Sequence, residues 1–428
     1  MNQMMTHKKP RLAIIGGGIS GMSAAYELAD QFDIYIFEAE DRLGGHARTV
    51  LAGKGGQQPV DTGFIVFNYV NYPHFTKMIR DLGVEVERSD MSFGVSVAGG
   101  EFEFALKNLR TIFGQKRNFL RPQMYRMIRD ILRFGQHAEA IVEEREMTIG
   151  ALMAELNLGK WFQQYYLLPI SGAIWSTPPE KVMGFSARAL VNFFRNHGLL
   201  EAGKQHQWWT VTGGSINYVK KLEANIRKRG VGVSLCTKIA SIKRDQDGVT
   251  IVDQNGSTQN FDAIIMACHS DTSLALLDDA TDQERAILSA IEYQDNEMIL
   301  HCDERQMPIR RNLWSSWVYQ SNGNFDEPAI GVTYWMNRLQ NIPIDDPLFV
   351  TLNPLTQIDP NKIYDQKTFR HPVFSQEALE AQQNLDTIQG QSRTYFAGAW
   401  TRNGFHEDGF ASAVRVARLL QKQLEKAY

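Results

Sequence analysis

Between positions 12 and 48 the chain concentrates residues whose types and spacing can do chemistry. Gly16, Gly18 and Gly21 follow directly on an apolar run (12–15) at GxGxxG spacing, and a small-residue stretch (22–29) comes next. Gly16 permits a tight turn out of a strand. Gly18 removes a side chain where backbone must approach a pyrophosphate, and Gly21 lets a helix pack closely on the strand. The helix start offers unpaired N–H groups and a positive dipole end to an anion. A second apolar run (34–37) ends on Glu38, 20 residues beyond Gly18. From there a carboxylate can accept ribose hydroxyls. These residues predict a dinucleotide site. Glu38 disfavours NADP, because a carboxylate repels a 2′-phosphate. The motif by itself does not separate NAD from FAD.

Two further stretches carry candidates. The run VDTGFIVFN (60–68) ends a strand on Gly63, where backbone can come close to a flat ligand; taken alone, Gly63 reads first as an ordinary turn glycine. Near the C-terminus, a strand ending at Gly398 is followed by GFHEDGFASAVRVARLL, a loop opening a final helix. Its small residues leave the helix start open, so its N–H groups can face an electron-rich ring edge. His406, Glu407 and Asp408 are titratable groups suited to acid–base work there, and equally suited to capping that helix.

The elements that must position these residues imply two domains, since 428 residues exceed one compact core. The fold class is α/β. A parallel sheet with helices, discontinuous in sequence (1–68, 206–284 and 386–428), carries the dinucleotide motif. A second, α+β domain (69–205 and 285–385) has an antiparallel sheet and a helical insert and would hold the substrate. Residues 71–83 predict a helix with Pro73 in its first turn and Gly83 as its C-cap. The segment 84–106 predicts strands that turn at Gly99-Gly100, and 138–160 a more acidic helix. Thr177-Pro178-Pro179 marks a turn, 186–194 a helix, and Ser215 the N-cap of a helix over 216–226. A strand that turns and continues is expected over 232–244, and a buried parallel strand over 261–268.

Eight basic residues (Lys107, Arg110, Lys116, Arg117, Arg121, Arg126, Arg129 and Arg133) fall in one segment with Asp130 as the lone acid. Met124, Met127, Ile128, Ile131 and Leu132 recur there at helical spacing. This predicts a basic amphipathic helix preceded by a basic loop, either a surface for anionic lipid headgroups or a polyanionic substrate, or a packed helix with a solvated arginine face.

The net charge of -3 argues against a nucleic-acid partner. Cys236, Cys268 and Cys302 are far apart and in no ligand spacing, which argues against disulfides and metal and for a reducing, cytoplasmic setting. The basic start MNQMMTHKKPR reads as neither signal peptide nor anchor. No apolar run reaches the roughly 18 residues of a membrane span.

Five separated stretches fit one pattern: GxGxxG with Glu38, RLGGHAR (42–48), VDTG (60–63), the strand at 233–242, and FAGAW…GFHEDGFASAVRVA. Together they resemble the FAD-dependent amine oxidase and phytoene desaturase superfamily, and more narrowly its bacterial group of predicted NAD/FAD-binding proteins. The resemblance implies bound FAD, with Gly16, Gly18, Ser20 and Gly21 on the pyrophosphate and Glu38 on the adenosine ribose. Arg42, Gly44 and Gly45 would line the phosphate–ribityl path. His46 stands where many relatives have arginine. Gly63 would approach the flavin, Ile239 the adenine, and Gly398 the ribityl chain or pyrophosphate. The backbone of Glu407, Asp408, Gly409 and Phe410 would meet the flavin edge, with His406 and Glu407 as the catalytic candidates. It also implies an apolar substrate, a fatty acyl or other lipid, desaturated, saturated or isomerised at a carbon–carbon bond. The alternatives are an amine oxidase and a non-enzymatic FAD-binding protein.

Overall fold

The run Arg11–Ile15 alternates its side chains between two cores. Leu12 and Ile14 pack into one apolar cluster, Ala13 and Ile15 into another. A strand buried on both faces needs helices or a second sheet on each side, and this favours a parallel sheet. In the computed structural model, which describes residues 9–175, 182–196, 200, 206–324 and 329–427, that sheet has five strands. Their order is Gly232–Ser234, Asp33–Phe37, Arg11–Ile15, Ala263–Met266 and Thr394–Phe396, all parallel. Four of the strands come from the first 270 residues and the last from the C-terminal tenth, so distant parts of the chain build one sheet.

Five helices matter for the site: α1 (Ile19–Leu28), α2 (Pro73–Asp81), α3 (Pro122–Glu144), α4 (Ile216–Lys228) and α5 (His406–Ala427). Helices α1 and α5 pack together on one face of the sheet. On the other face lies a three-stranded antiparallel sheet, Ile239–Arg244, Val249–Asp253 and Thr258–Phe261.

A seven-stranded sheet forms the second layer. Its order is Ile363–Val373, Glu292–His301, Phe349–Leu352, Ile330–Trp335, Trp317–Ser321, Phe93–Val97 and Phe102–Ala105. It is antiparallel except between Trp317–Ser321 and Phe93–Val97. The turn at Gly99-Gly100 lies between its last two strands, as the alternation implies. Val86–Ser89 does not join them: it pairs with Trp208–Val211, at the far end of the insert.

Helix α3 begins at Pro122 and runs to Glu144, so the segment expected as a new helix from 138 is largely its continuation, followed by Ile149–Glu155. Ser215 precedes α4 but does not cap it; its hydroxyl donates to Asp61 instead, at 2.8 Å. Asp130 is fully buried rather than part of a solvated face, because its carboxylate accepts the N–H of Gly159 at 2.9 Å. The Thr177-Pro178-Pro179 turn and residues 1–8 lie outside the described residues.

Candidate active site

The glycine loop is shaped by contacts that leave no room for side chains. Gly16 has φ +107°, and a Cβ there would lie 2.7 Å from the Ala267 carbonyl oxygen. A Cβ on Gly21 would lie 1.9 Å from the Gly16 oxygen, so α1 could not sit on the strand. Gly18 differs: its nearest neighbour to a Cβ would be the Gly45 Cα at 3.9 Å. The space above Gly18 is therefore an open groove floored by Gly18 and Gly45. Ser20 lines the same groove.

Glu38 closes one end. Its carboxylate accepts the N–H of Gly17 at 2.7 Å and of Glu40 at 2.8 Å, which fixes it at the tip of its strand. Gly44 donates its N–H to the Gly17 carbonyl, bringing the RLGGHA turn against the loop. Arg42 holds that turn shut: its guanidinium donates to the carbonyls of Leu43, Gly45 and Ala47 and pairs with Glu40 at 3.1 Å. A guanidinium so engaged faces away from the groove, and Arg42 is a clamp on the turn rather than part of the wall.

The VDTG turn lies beside His46. A Cβ on Gly63 would fall 2.1 Å from the His46 carbonyl oxygen, and Phe64 donates its N–H to that oxygen at 2.9 Å. Just before it, Asp61 is a buried hub. Its carboxylate accepts from the Ser215 N–H and hydroxyl, from Thr49 Oγ1 at 2.5 Å and from Gln340 Nε2 at 3.0 Å. Burial raises its pKa to about 6 against the pull of these donors. Asp61 thereby ties the turn to α4 and to the second layer.

From the opposite wall, strand Ile363–Val373 sends alternate side chains toward the parallel sheet. Asp365 pairs with Arg48, with one oxygen per guanidinium nitrogen at 2.5 and 3.0 Å. Lys367 pairs with Glu40, Phe369 lies 5.0 Å from the His46 ring, and His371 lies 5.7 Å from it. His269, stacked on Tyr293 at 4.4 Å, lies 6.1 Å from His46 and completes a group of three imidazoles, His46, His269 and His371. Enclosure by protein, then mutual repulsion, lowers the pKa of His46 and His371, so the group is neutral at physiological pH. No sequence pattern joins residues 46, 269 and 371; two separate strand ends and one turn bring them together. Among the described residues no such group could hold a metal.

These walls enclose one continuous cavity of about 2070 Å³. It starts at Gly16, Gly18 and Glu38, passes Gly63 and His406, and ends against Met124, Met127, Ile128 and Ile131 of α3. Trp317 and Tyr334, packed edge to face at 4.9 Å, line its middle. The described carboxylates on its wall all have partners: Glu38 and Glu40 as above, Asp90 with the Ser316 hydroxyl at 2.8 Å, and Glu139 with Arg195 at 3.0 Å.

The sequence pattern of the flavin containing amine oxidoreductases matches residues 19–302, well over half of the chain. The chain belongs to that family. It is an FAD-dependent oxidoreductase by membership. A CLA-producing fatty acid isomerase from P. acnes superposes with TM-score 0.69 at 15% identity, over 96% of this chain and 98% of that one. Cyclohexylamine oxidase from Brevibacterium oxydans superposes with TM-score 0.65 at 14% identity, over 97% and 100%. A short stretch is 45% identical to polyamine oxidase 1 of Oryza sativa subsp. japonica over 49 residues, 10% of this chain and 10% of that protein. The curated relatives are thus matched over a small part of their length, and the two superpositions concern the fold.

The residues present fit FAD. The groove over Gly18 is a cradle that a Cβ would fill, its floor is backbone at a helix N-terminus, and Glu38 stands at one end. Gly16, Gly18, Ser20, Glu38, Gly44, Gly45, His46, Gly63, Ile239, Gly398 and His406 all line the cavity. Gly21, Arg42, Glu407, Asp408, Gly409 and Phe410 do not. Gly21 and Gly409 are needed for close approach: a Cβ on Gly409 would meet Ile19 and Ser20 where α5 crosses α1. Phe410 is core.

Glu407, expected as an acid–base residue, sits instead on the N-terminus of α2. Both its oxygens are taken, by the N–H groups of His74 and Phe75 at 2.9 Å each. Asp408 accepts the Phe405 N–H and caps its own helix. His406 stays on the cavity wall. Its Nε2 meets the Tyr218 hydroxyl at 2.7 Å and its ring stacks on Phe64 at 3.8 Å. Burial lowers its pKa to about 3, so it is a neutral imidazole.

Proposed function

We propose that this enzyme acts on a carbon–carbon bond of an apolar chain, a fatty acyl or other lipid, by desaturation, saturation or double-bond isomerisation. The observation that carries this reading is the far half of the cavity. Beyond Gly63 and His406 it runs to the Met124, Met127, Ile128 and Ile131 face of α3, and every described carboxylate on its wall already has a partner. A protonated amine brought there would find no unpaired anion, whereas an acyl chain would exchange water for hydrocarbon at about 0.8 kcal/mol per methylene.

FAD, when bound, supplies hydride-type oxidation and reduction. The chain's own residues place the substrate. The α3 face and Trp317 grip the chain, and the neutral His406, held by Tyr218, presents an uncharged wall. Exclusion of water by these apolar surfaces strengthens every electrostatic interaction at the reacting atoms. The likeness of fold to a fatty acid isomerase supports the reading.

The second reading is oxidation of an amine, supported by the family's own description and by the stretch similar to a polyamine oxidase. Anaerobic mixing of the holoenzyme with unsaturated fatty acids and with di- and polyamines separates the two. Unsaturated fatty acids are expected to change the flavin spectrum or to return as altered double-bond isomers by mass spectrometry. Flavin bleaching by amines alone would overturn the lipid reading.

A further inference from the structure

The segment 107–133 turns apolar side chains in both directions. Inward, Met124, Met127 and Ile131 bound the cavity. Outward, Leu109, Phe119, Leu120, Tyr125 and Leu132 stand 71, 55, 85, 50 and 49% exposed. Water-facing apolar groups this dense in one short stretch call for a partner. They are also preformed as a ridge. Phe113 stacks on Phe119 at 4.3 Å, Tyr125 lies 5.5 Å from Phe113, and the Tyr125 hydroxyl donates to the Phe119 carbonyl at 3.0 Å.

Cations flank the ridge. Arg110, Lys116 and Arg117 form no ion pair among the described residues. Arg126 and Arg129 reach only Asp130, at 3.9 and 3.5 Å, and their side chains are more than half exposed. Because Asp130 is buried, the face shows solvent a net positive charge; the acids beside it are Asp90, 3.9 Å from Lys107, and the exposed Glu101 near Arg121. The cavity opens here too: Lys107, Leu109, Ile112 and Leu132 line its outer end.

We infer that residues 107–133 dock this enzyme on an anionic lipid bilayer. Leu120 and Phe119 enter the headgroup–acyl boundary, the basic residues meet lipid phosphates, and the cavity mouth faces the bilayer. An exposed apolar apex between cations suits a surface that is anionic outside and apolar beneath; a nucleic acid would leave the apex in water. That acyl substrate enters through this mouth rests on the lipid reading above; docking itself does not.

Flotation of the holoenzyme with vesicles tests this directly. It should float with phosphatidylglycerol–phosphatidylcholine vesicles, stay behind with phosphatidylcholine alone, and release as salt is raised. Near an anionic surface each basic residue changes partitioning roughly fivefold. Lys116→Glu with Arg117→Glu should therefore weaken binding by more than roughly tenfold, and Phe119→Ser with Leu120→Ser by a similar factor. All four sites are surface positions, so an unchanged flavin spectrum serves as the folding control. Failure of the wild-type holoenzyme to float, or equal flotation of both variants, would overturn the proposal. So would a concentration-dependent dimer in sedimentation that both variants abolish, since the face would then be a contact between copies. Fatty-acid reactivity without vesicles reads the lipid chemistry separately, so loss of either result leaves the other standing.

Discussion

Gly18 and Gly21 belong to one motif, yet the structure gives their substitution by alanine opposite consequences. At Gly21 the new Cβ would lie 1.9 Å from the Gly16 oxygen. Relieving this requires backbone to part by about 1 Å where α1 meets the sheet, at an overpacking cost of about 3 kcal/mol. With an unfolding entropy of about 2.1 cal/mol/K per residue, the melting temperature of the FAD-stripped protein should fall by roughly 3–4 °C. At Gly18 the backbone has φ −73° and ψ −172°, which alanine adopts freely, and the methyl meets nothing closer than 3.9 Å. The stripped Gly18→Ala protein should melt at or slightly above the wild type, since the unfolded chain loses freedom. Its defect appears only when FAD is added, because the methyl fills the groove. A steric cost near 3 kcal/mol weakens FAD about 100-fold. At FAD concentrations that stabilise the wild type by about 4 kcal/mol, the variant gains only about 1.4 kcal/mol. Thermal melts with and without FAD, and FAD titration by flavin fluorescence, measure both effects. The reasoning fails if stripped Gly21→Ala melts with the wild type, or if Gly18→Ala binds FAD unchanged.

Ile131→Trp should fill the far end of the cavity and leave FAD content unchanged. Displacing about four methylenes of a long acyl chain, at about 0.8 kcal/mol each, should weaken long-chain unsaturated acids roughly 200-fold and short ones little; equal loss for both lengths would sink the assignment of this wall to the chain. Burial raises Glu407 to about 7, its two N–H donors opposing, and raises Asp408 to about 6. Because both folded values exceed the unfolded ones, their stabilisation is complete in acid and is lost as pH climbs through about 6 to 7. Melting temperature should thus fall between about pH 5 and pH 8, and Glu407→Gln should flatten that slope; an unchanged slope would show that other groups set it.

What the sequence determined was local. A strand buried on both faces, three glycines at fixed spacing and an acid at the next strand's tip need only neighbouring residues to specify a turn, a groove and a helix start. Arg11–Ile15, Gly16, Gly18, Gly21 and Glu38 could be read for that reason. The same holds for the turn at Gly99-Gly100 and for α2, whose Pro73 and Gly83 are chemical signals along the chain. Tertiary structure decided which side chains face the cofactor groove. Glu407 looks catalytic beside an open helix start, but α2, more than 300 residues earlier, presents two free N–H groups to it and turns it into a cap. Arg42 was drawn off by carbonyls of its own turn. His269 and His371 meet His46 only because two sheets stack with their strand ends opposed. Asp130 and Leu132 sit two residues apart on α3, yet the acid is buried and the leucine exposed. Hydrophobic periodicity favours the reverse, and the Gly159 N–H together with the Arg126 and Arg129 guanidinium groups outweighs it. Long-range packing supplies the partner for each of these groups, and no spacing along the chain encodes which partner that is.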